Sequence, residues 1–256
     1  MHCFRLQPCF KLPGFAWPEP WRPVPGTSFE WILQNFAGTV PAQKVIDLDL
    51  FDTPNNHIAN LRFHRKKVIC YVSVGSWENW RPDANEFPES LKGRPLDGWP
   101  GERWLDIRQI DRLAPIIGAR LNRCKTKGFH ALEPDNLDGF QTNTGLPLTR
   151  ADAVRYIRWL ARQAHQRGLS IGLKNVPELI STVLDDVDWA LTEDCFDQGW
   201  CNQLRPFIAA GKAVFAVEYT DTGINFSAFC DKAKQLGLSP LLKRRNLGPW
   251  SRQCPG

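Results

Sequence analysis

Methionine is almost missing from this chain of 256 residues, which has one Met and only three Tyr. Several patterns are missing too, and each absence excludes something. No stretch approaches the roughly 20 apolar residues that cross a bilayer, so no membrane span is expected. The Gly-x-Gly-x-x-Gly fingerprint and the P-loop are absent, which argues against a nucleotide fold. No His-Glu-x-x-His occurs. No two cysteines stand in Cys-x-x-Cys spacing, and the five His (His2, His57, His64, His130, His165) do not combine with Cys in zinc-ligand patterns. Neither a metal nor an organic cofactor is expected. The net charge of +5 is spread along the chain. Its two basic clusters, Arg65-Lys66-Lys67 and Lys243-Arg244-Arg245, read as solvated strand ends, so no nucleic-acid partner is expected. With 43% hydrophobic and 23% charged residues, disorder is excluded as the main state.

What is present is unusual in two ways. There are eight Cys and eleven Trp. An even number of cysteines without metal spacing fits disulfides and an oxidising compartment, with buried free thiols as the alternative. Cys195 and Cys201 are the expected pair, closing a short loop; the other pairings are open. The chain opens on a Pro-rich stretch (Pro8, Pro13, Pro18, Pro20, Pro23, Pro25) with no basic and apolar signal-peptide pattern. Residues 1–26 therefore read as an irregular extension and 27–256 as one domain. An export signal, if used, is expected outside this chain.

From there one rhythm repeats. Amphipathic stretches end at Gly128, Gly168, Gly211 and Gly237, and each is followed at once by a short apolar run. A glycine after the last helical turn takes the left-handed cap, and short apolar runs between helices suit buried parallel strands. Strands are expected over about 29–33, 44–50, 68–74, 129–134, 169–174, 187–192, 213–218 and 238–243, with an extra short one at 104–107. Helices are expected over about 112–127, 150–167 and 225–236, and another opening at Pro54. Thr149 and Asp152 have the spacing of a capping box. Trp159 and Trp189 read as core. Eight alternating units in about 230 residues read as a TIM-type (β/α)8 barrel, with a doubly wound open sheet as the rival.

In such a barrel the chemistry sits at the C-terminal strand ends. Those positions hold Asp47, Asp49, Ser73, Glu78, Glu133, Asp135, Asn136, Asp138, Lys174, Asn175, Glu193, Asp194, Glu218, Tyr219, Lys243 and Arg244. Carboxylates at many ends form one acidic crater. Like charges crowd there at a cost in stability unless function keeps them. Glycoside hydrolysis needs only two carboxyl groups flanking the bond. Trp77, Trp80, Trp99 and Trp104 follow the third strand, where they could offer stacking platforms to sugar rings.

Five ordered motifs carry a resemblance. They are the run Val68-Ile69-Cys70-Tyr71-Val72-Ser73-Val74-Gly75-Ser76-Trp77-Glu78-Asn79-Trp80-Arg81-Pro82-Asp83, then Gly101-Glu102-Arg103-Trp104-Leu105-Asp106-Ile107-Arg108, Glu133-Pro134-Asp135-Asn136-Leu137-Asp138-Gly139, Gly172-Leu173-Lys174-Asn175 and Leu191-Thr192-Glu193-Asp194-Cys195-Phe196. Over about residues 27–245 the chain resembles glycoside hydrolase family 114, the endo-α-1,4-polygalactosaminidases. The resemblance implies a TIM-type barrel that cuts galactosamine-containing polysaccharide inside the chain. It also implies a secreted or cell-surface protein acting on biofilm or cell-wall exopolysaccharide. The family's catalytic pair carries over to Asp135 and Glu193. Two positions depart from many members: Asp194 stands in place of Gln, and His130 in place of Asp.

Galactosamine carries an ammonium near neutral pH, which an acidic crater attracts. Asp47, Asp49, Asp138 and Glu218 are candidates for the amine and ring hydroxyls. Tyr71, Ser73, Trp77, Glu78, Asn136, Lys174, Asn175, Asp194 and Tyr219 are the other expected binding residues. Glu193, followed by Asp194 and near Trp200, is expected to be the acid/base; Asp135, followed by Asn136 and near Lys174, the nucleophile or the base for water. Retention is the expected stereochemistry, and a monomer the expected state. The alternatives are a barrel of the same type acting on another α-linked polysaccharide, and an inactive carbohydrate-binding barrel.

Overall fold

The computed structural model describes residues 19–255. Eight parallel strands follow one another around a barrel: β1 (Phe29–Ile32), β2 (Val45–Asp49), β3 (Lys67–Ser73), β4 (Ala131–Asp135), β5 (Ser170–Lys174), β6 (Trp189–Glu193), β7 (Val214–Tyr219) and β8 (Ser239–Lys243). Six helices run outside it: α1 (Asn55–Phe63), α2 (Ile110–Lys127), α3 (Arg150–Gln166), α4 (Ile180–Val183), α5 (Arg205–Ala209) and α6 (Phe226–Leu236).

The alternation of side chains along each strand builds two cores. Phe29, Trp31, Val45, Ile69, Ala131, Trp189, Phe215, Val217 and Leu241 fill the barrel interior. Their neighbours Ile46, Val68, Cys70, Leu132, Ile171 and Val214 face outward, beneath Leu113, Ile117, Ile157, Leu160 and Phe229 of the helices. Gly172 of β5 leaves room for the Trp189 ring, because a Cβ there would stand 2.6 Å from it. The four cap glycines all take positive φ, from 65° at Gly168 to 95° at Gly128. Thr149 and Asp152 form the capping box of α3, with Thr149 N donating to Asp152 at 3.0 Å.

The barrel departs from eight equal units in three places. No helix joins β1 to β2, and α4 and α5 are single short turns. The long β3–α2 segment folds into a separate antiparallel sheet of Ser76–Glu78, Glu102–Leu105 and Lys92–Pro95; the extra strand expected at 104–107 is the middle one. Trp189 is fully buried, but Trp159 is half-exposed and stacks on Tyr156.

At the seam between β1 and β8 no strand ladder forms. A short strand, Ser251–Gln253, pairs antiparallel with β8. The Gln253 amide donates to the Phe29 carbonyl at 3.2 Å, and Leu33 N donates to the Leu247 carbonyl at 2.9 Å. Lys243, fully buried, pairs with Glu30 at 3.3 Å, and Ser251 donates to the same carboxylate.

Most of the expected 1–26 extension lies outside the described residues. Residues 19–26 dock at the N-terminal end of the strands. Trp21 meets His130 edge-on, Arg22 pairs with Asp188 at 2.7 Å, and Ala213 N donates to the Pro23 carbonyl. His130 therefore belongs to packing at the end of the barrel opposite the site, where burial pushes its pKa down to about 4. Cys70–Cys124, Cys195–Cys201 and Cys230–Cys254 are bridged. No helix of the described residues is long and apolar enough to cross a membrane.

Candidate active site

A cleft of about 550 Å³ opens at the C-terminal strand ends, and its floor is built around the last residue of β5. Lys174 is buried, with its ammonium 2.7 Å from Glu133, 3.2 Å from Glu193 and 3.7 Å from Asp135, and 4.5 Å from the centre of the Trp31 ring. The Trp31 indole N–H donates to the other oxygen of Glu133 at 2.9 Å. Deeper still is Asp47, fully buried, with no N–H or neutral hydroxyl donating to either oxygen. Burial and then the Glu133 charge push its pKa well above the usual carboxylate range.

Asp135 and Glu193 stand higher, with side chains 20% and 25% exposed. The Tyr71 hydroxyl donates to Asp135 at 2.9 Å. Tyr219 donates a short hydrogen bond to Glu193, and Asn175 clamps the same residue, donating from its amide to the carboxylate at 3.3 Å and accepting from the backbone N–H at 2.9 Å. The backbone turns left-handed directly after these strands, at Asn136 (φ 64°), Asn175 (φ 52°), Val176 (φ 45°) and Asp194 (φ 56°). For a β-branched residue such as Val176 this is strained, as is common where a site fixes its geometry.

The electrostatics of Glu193 differ from the sequence expectation. Burial raises its pKa, but the Lys174 ammonium and the Tyr219 and Asn175 donors outweigh burial and hold it below the usual range. The neighbouring charge on which an acid role rested is directed elsewhere. The left-handed turn at Asp194 sends that carboxylate to Arg245 at 2.8 Å, and Arg245 lies 3.7 Å from the centre of the Tyr219 ring.

On the opposite wall the Asn136 amide donates to the hydroxyls of Ser73 (2.8 Å) and Ser76 (3.0 Å), and the Ser76 hydroxyl donates to Glu102 at 2.8 Å. Burial pushes Glu102 up to about 7. Asp138 is pushed up to about 6 by burial, then by the Asp135 charge. Trp99, half-exposed, and Trp200 offer aromatic faces to the cleft.

Of the expected binding residues, Tyr71, Asn136, Asp138, Lys174, Asn175 and Asp194 line the cleft with the Asp135–Glu193 pair. The others do not. Asp47 and Tyr219 support the floor from beneath. Asp49 and Glu78 are tied to Arg81 at 2.6 and 2.8 Å, which removes both from the cleft. Ser73 works through Asn136. The Trp77 indole donates to the Ala84 carbonyl, and its ring packs against Lys92. Glu218 accepts from the backbone N–H groups of Phe196 and Asp197, fixing the loop that the Cys195–Cys201 bridge closes. Sequence reasoning missed Glu102, Trp31 and Arg245 as cleft residues. Glu102 stands inside one of the five motifs and could have been singled out there. Gly168-Leu169-Ser170-Ile171-Gly172 has the spacing of a nucleophile elbow, but Ser170 begins β5 at the far end of the barrel and is fully buried. The one cluster of three potential metal ligands among the described residues, Cys195, Cys201 and Glu218, contains a disulfide and offers no thiolate.

The chain is similar to known proteins. The chain of Aspergillus fumigatus Ega3, solved in complex with galactosamine, is 36% identical; the match covers 94% of this chain and 100% of that one, at a TM-score of 0.86. A variant of the glycoside hydrolase domain of PelA from Pseudomonas aeruginosa shares the fold, at 15% identity, 88% and 97% coverage and a TM-score of 0.70. An uncharacterized protein of Deinococcus radiodurans is 24% identical over 270 residues, covering 94% of this chain and 85% of its own. The family model described as Glycoside-hydrolase family GH114 matches residues 13–256, and with the whole barrel inside that match the chain belongs to this family.

Proposed function

We propose that the chain is an endo-acting glycoside hydrolase that cuts internal α-1,4 linkages of galactosamine-containing exopolysaccharide, with Asp135 and Glu193 as its carboxylate pair. The observation that carries this reading is the sharing of one ammonium by two partly exposed carboxylates. The contacts of Lys174 with Asp135 and Glu193 bound the separation of those oxygens at about 7 Å. Paired glycosidase carboxylates stand about 5–5.5 Å apart in retaining enzymes and about 6.5–9.5 Å in inverting ones. The bound admits the retaining spacing and, for these oxygens, only the lower edge of the inverting range. The likeness to a protein solved with galactosamine supports the substrate class.

The roles follow from the donors around each group. Glu193, held ionised by Lys174, Tyr219 and Asn175, serves as nucleophile. Asp135 delivers the proton to the leaving oxygen and then takes one from water. This reverses the roles expected from sequence, because Asp194 faces Arg245 and adds little negative field at Glu193. Asp138 meets an amine or hydroxyl of the sugar beside Asp135. Trp99 and Trp200 stack sugar rings on the two walls. Three disulfides among the described residues support an oxidising compartment, and with it a secreted or cell-surface protein; we take it to act as a monomer.

The test is digestion of fully deacetylated α-1,4-polygalactosamine. Oligomers of several units are the expected products. Binding without cleavage would identify an inactive carbohydrate-binding barrel. No binding, with cleavage of another α-linked polymer, would identify the other alternative. Azide rescue assigns the roles. Glu193→Ala should regain activity with a glycosyl azide of inverted anomeric configuration, whereas that product from Asp135→Ala would restore the roles expected from sequence.

A further inference from the structure

We propose that Glu102 reads the free amine of a galactosamine unit bound beside Asp135, and so sets the preference for deacetylated over N-acetylated sugar. The inference rests on the proposed polygalactosaminidase reading and deepens it. Glu102 begins the middle strand of the small sheet that forms the β3–α2 wall. The residue is 7% exposed, yet it borders the cleft. One carboxylate oxygen accepts from the Ser76 hydroxyl, and no other hydrogen bond or ion pair reaches this carboxylate among the described residues. A nine-tenths buried carboxyl with one open oxygen on a cleft wall lacks a cation.

Ser76 also accepts from the amide of Asn136, so Glu102 is two hydrogen bonds from the residue that follows Asp135. A sugar seated against Asp135 therefore lies within reach. The residues facing Glu102 do not satisfy it. Arg81, the nearby cation, is already paired with Asp49 and Glu78, and the charges of Glu78 and Asp135 disfavour a further carboxylate. Burial, opposed by the Ser76 hydrogen bond, holds the empty residue near pH 7 in its titration. An arriving ammonium favours the ionised form, so the carboxyl proton leaves to solvent as the amine binds. An N-acetyl group brings no positive charge and more bulk, and leaves that proton in place.

The test uses short α-1,4-galactosamine oligomers and their N-acetylated counterparts, titrated calorimetrically at pH 6 in buffers of different ionisation heat. The wild-type protein should prefer the deacetylated oligomer and release a proton on binding it, but none on binding the N-acetylated one. Glu102→Gln keeps an acceptor for Ser76 but cannot ionise. It should weaken binding of the deacetylated oligomer about tenfold or more, as expected for loss of a charge-assisted hydrogen bond. The proton release should fall, with Asp138 supplying what remains, and the ratio of the two affinities should shift toward the N-acetylated oligomer. Equal weakening of both oligomers, or proton release undiminished in Glu102→Gln, overturns the inference. Absence of proton release in the wild-type protein overturns it without any variant. A wild-type protein that cleaves polygalactosamine while Glu102→Gln binds both oligomers unchanged defeats this inference alone. A wild-type protein that neither binds nor cleaves the deacetylated chain defeats the functional reading as well.

Discussion

Asp47 and Asp49 lie two residues apart at the end of β2, and both are buried. Their surroundings differ in how many cations they offer. Asp49 receives two hydrogen bonds from Arg81 and two more from the backbone N–H groups of Phe51 and Asp52. Around it, the guanidiniums of Arg81 and Arg120 face the carboxyls of Asp49, Glu78 and Asp83. Around Asp47, the single ammonium of Lys174 faces Glu133, Asp135 and Glu193 as well. The first network is nearly balanced and holds the β3–α2 wall in place. The second is short of positive charge at the floor of an open cleft. A ground state deficient in cations suits a substrate that brings its own ammonium, and this imbalance separates a binding floor from a buttress more clearly than burial does.

The comparison can be broken at several points. The largest effect is expected at the mouth of the second network. Asp135→Asn should lower kcat on polygalactosamine by about 10²–10⁴-fold, the usual reach of an acid–base group, and Glu193→Gln, which removes the nucleophile, by at least as much. Thermal unfolding should be little changed; a variant with near wild-type kcat would dismiss its residue from the pair.

Removing the cations should sharpen the contrast. Arg81→Met leaves buried carboxylates unpaired and should cost about 3–5 kcal/mol in urea unfolding, while the folded fraction keeps its pH–rate profile. Lys174→Met should destabilise too and, in addition, move the acid limb of that profile to higher pH, because Glu193 loses the cation that lowers its pKa. Equal pH shifts in the two variants would erase the distinction drawn here.

Converting Cys195 and Cys201 together to Ser opens a loop of six-residue separation next to Glu193. The chain-entropy relation gives a cost of about 2 kcal/mol, to be read from the shift in urea midpoint. Retention of wild-type stability would mean that Glu218 alone holds the loop.

The smallest effect has the opposite sign. The pKa of Asp47 is raised in the folded protein, so the folded state binds more protons than the unfolded chain at pH above the ordinary Asp value of about 3.9. Stability from this group is present below that pH and is lost as pH climbs toward the folded value. Asp47→Asn removes the loss and should leave the protein at least as stable as wild type in urea unfolding at pH 7. A clear destabilisation at neutral pH would show that Asp47 is ionised after all.

The barrel was legible in the sequence because its strands are short apolar runs placed directly after cap glycines, as at Gly168 before Ser170–Lys174. The small sheet of the β3–α2 segment was not. Lys92–Pro95 contains Gly, Arg and Pro, and three-residue strands such as Ser76–Glu78 are too short to show alternation. The pair Asp135 and Glu193 was legible through position and motif together. Asp49 and Glu78 were misplaced because Arg81, which takes both out of the cleft, lies 32 residues beyond Asp49 and looks like any other surface arginine on paper. The acidity of Glu193 was misread for the same reason: its deciding partners, Lys174, Tyr219 and the Arg245 that holds Asp194, come from three different strands or loops.

The seam between β1 and β8 has a consequence for how the molecule is made. The first strand waits for a partner that is synthesised more than 200 residues later, and the residues that finish the junction, Leu247 to Gln253, emerge later still. Until they arrive, a growing chain has two bare sheet margins, the kind that invite pairing between molecules. The Cys230–Cys254 bridge then works as a latch, tying this late segment to α6 once the cylinder has shut. Loss of the segment from Ser251 to Cys254, which contributes no side chain to the cleft, would leave an open, adhesive ribbon of strands where an enzyme should be.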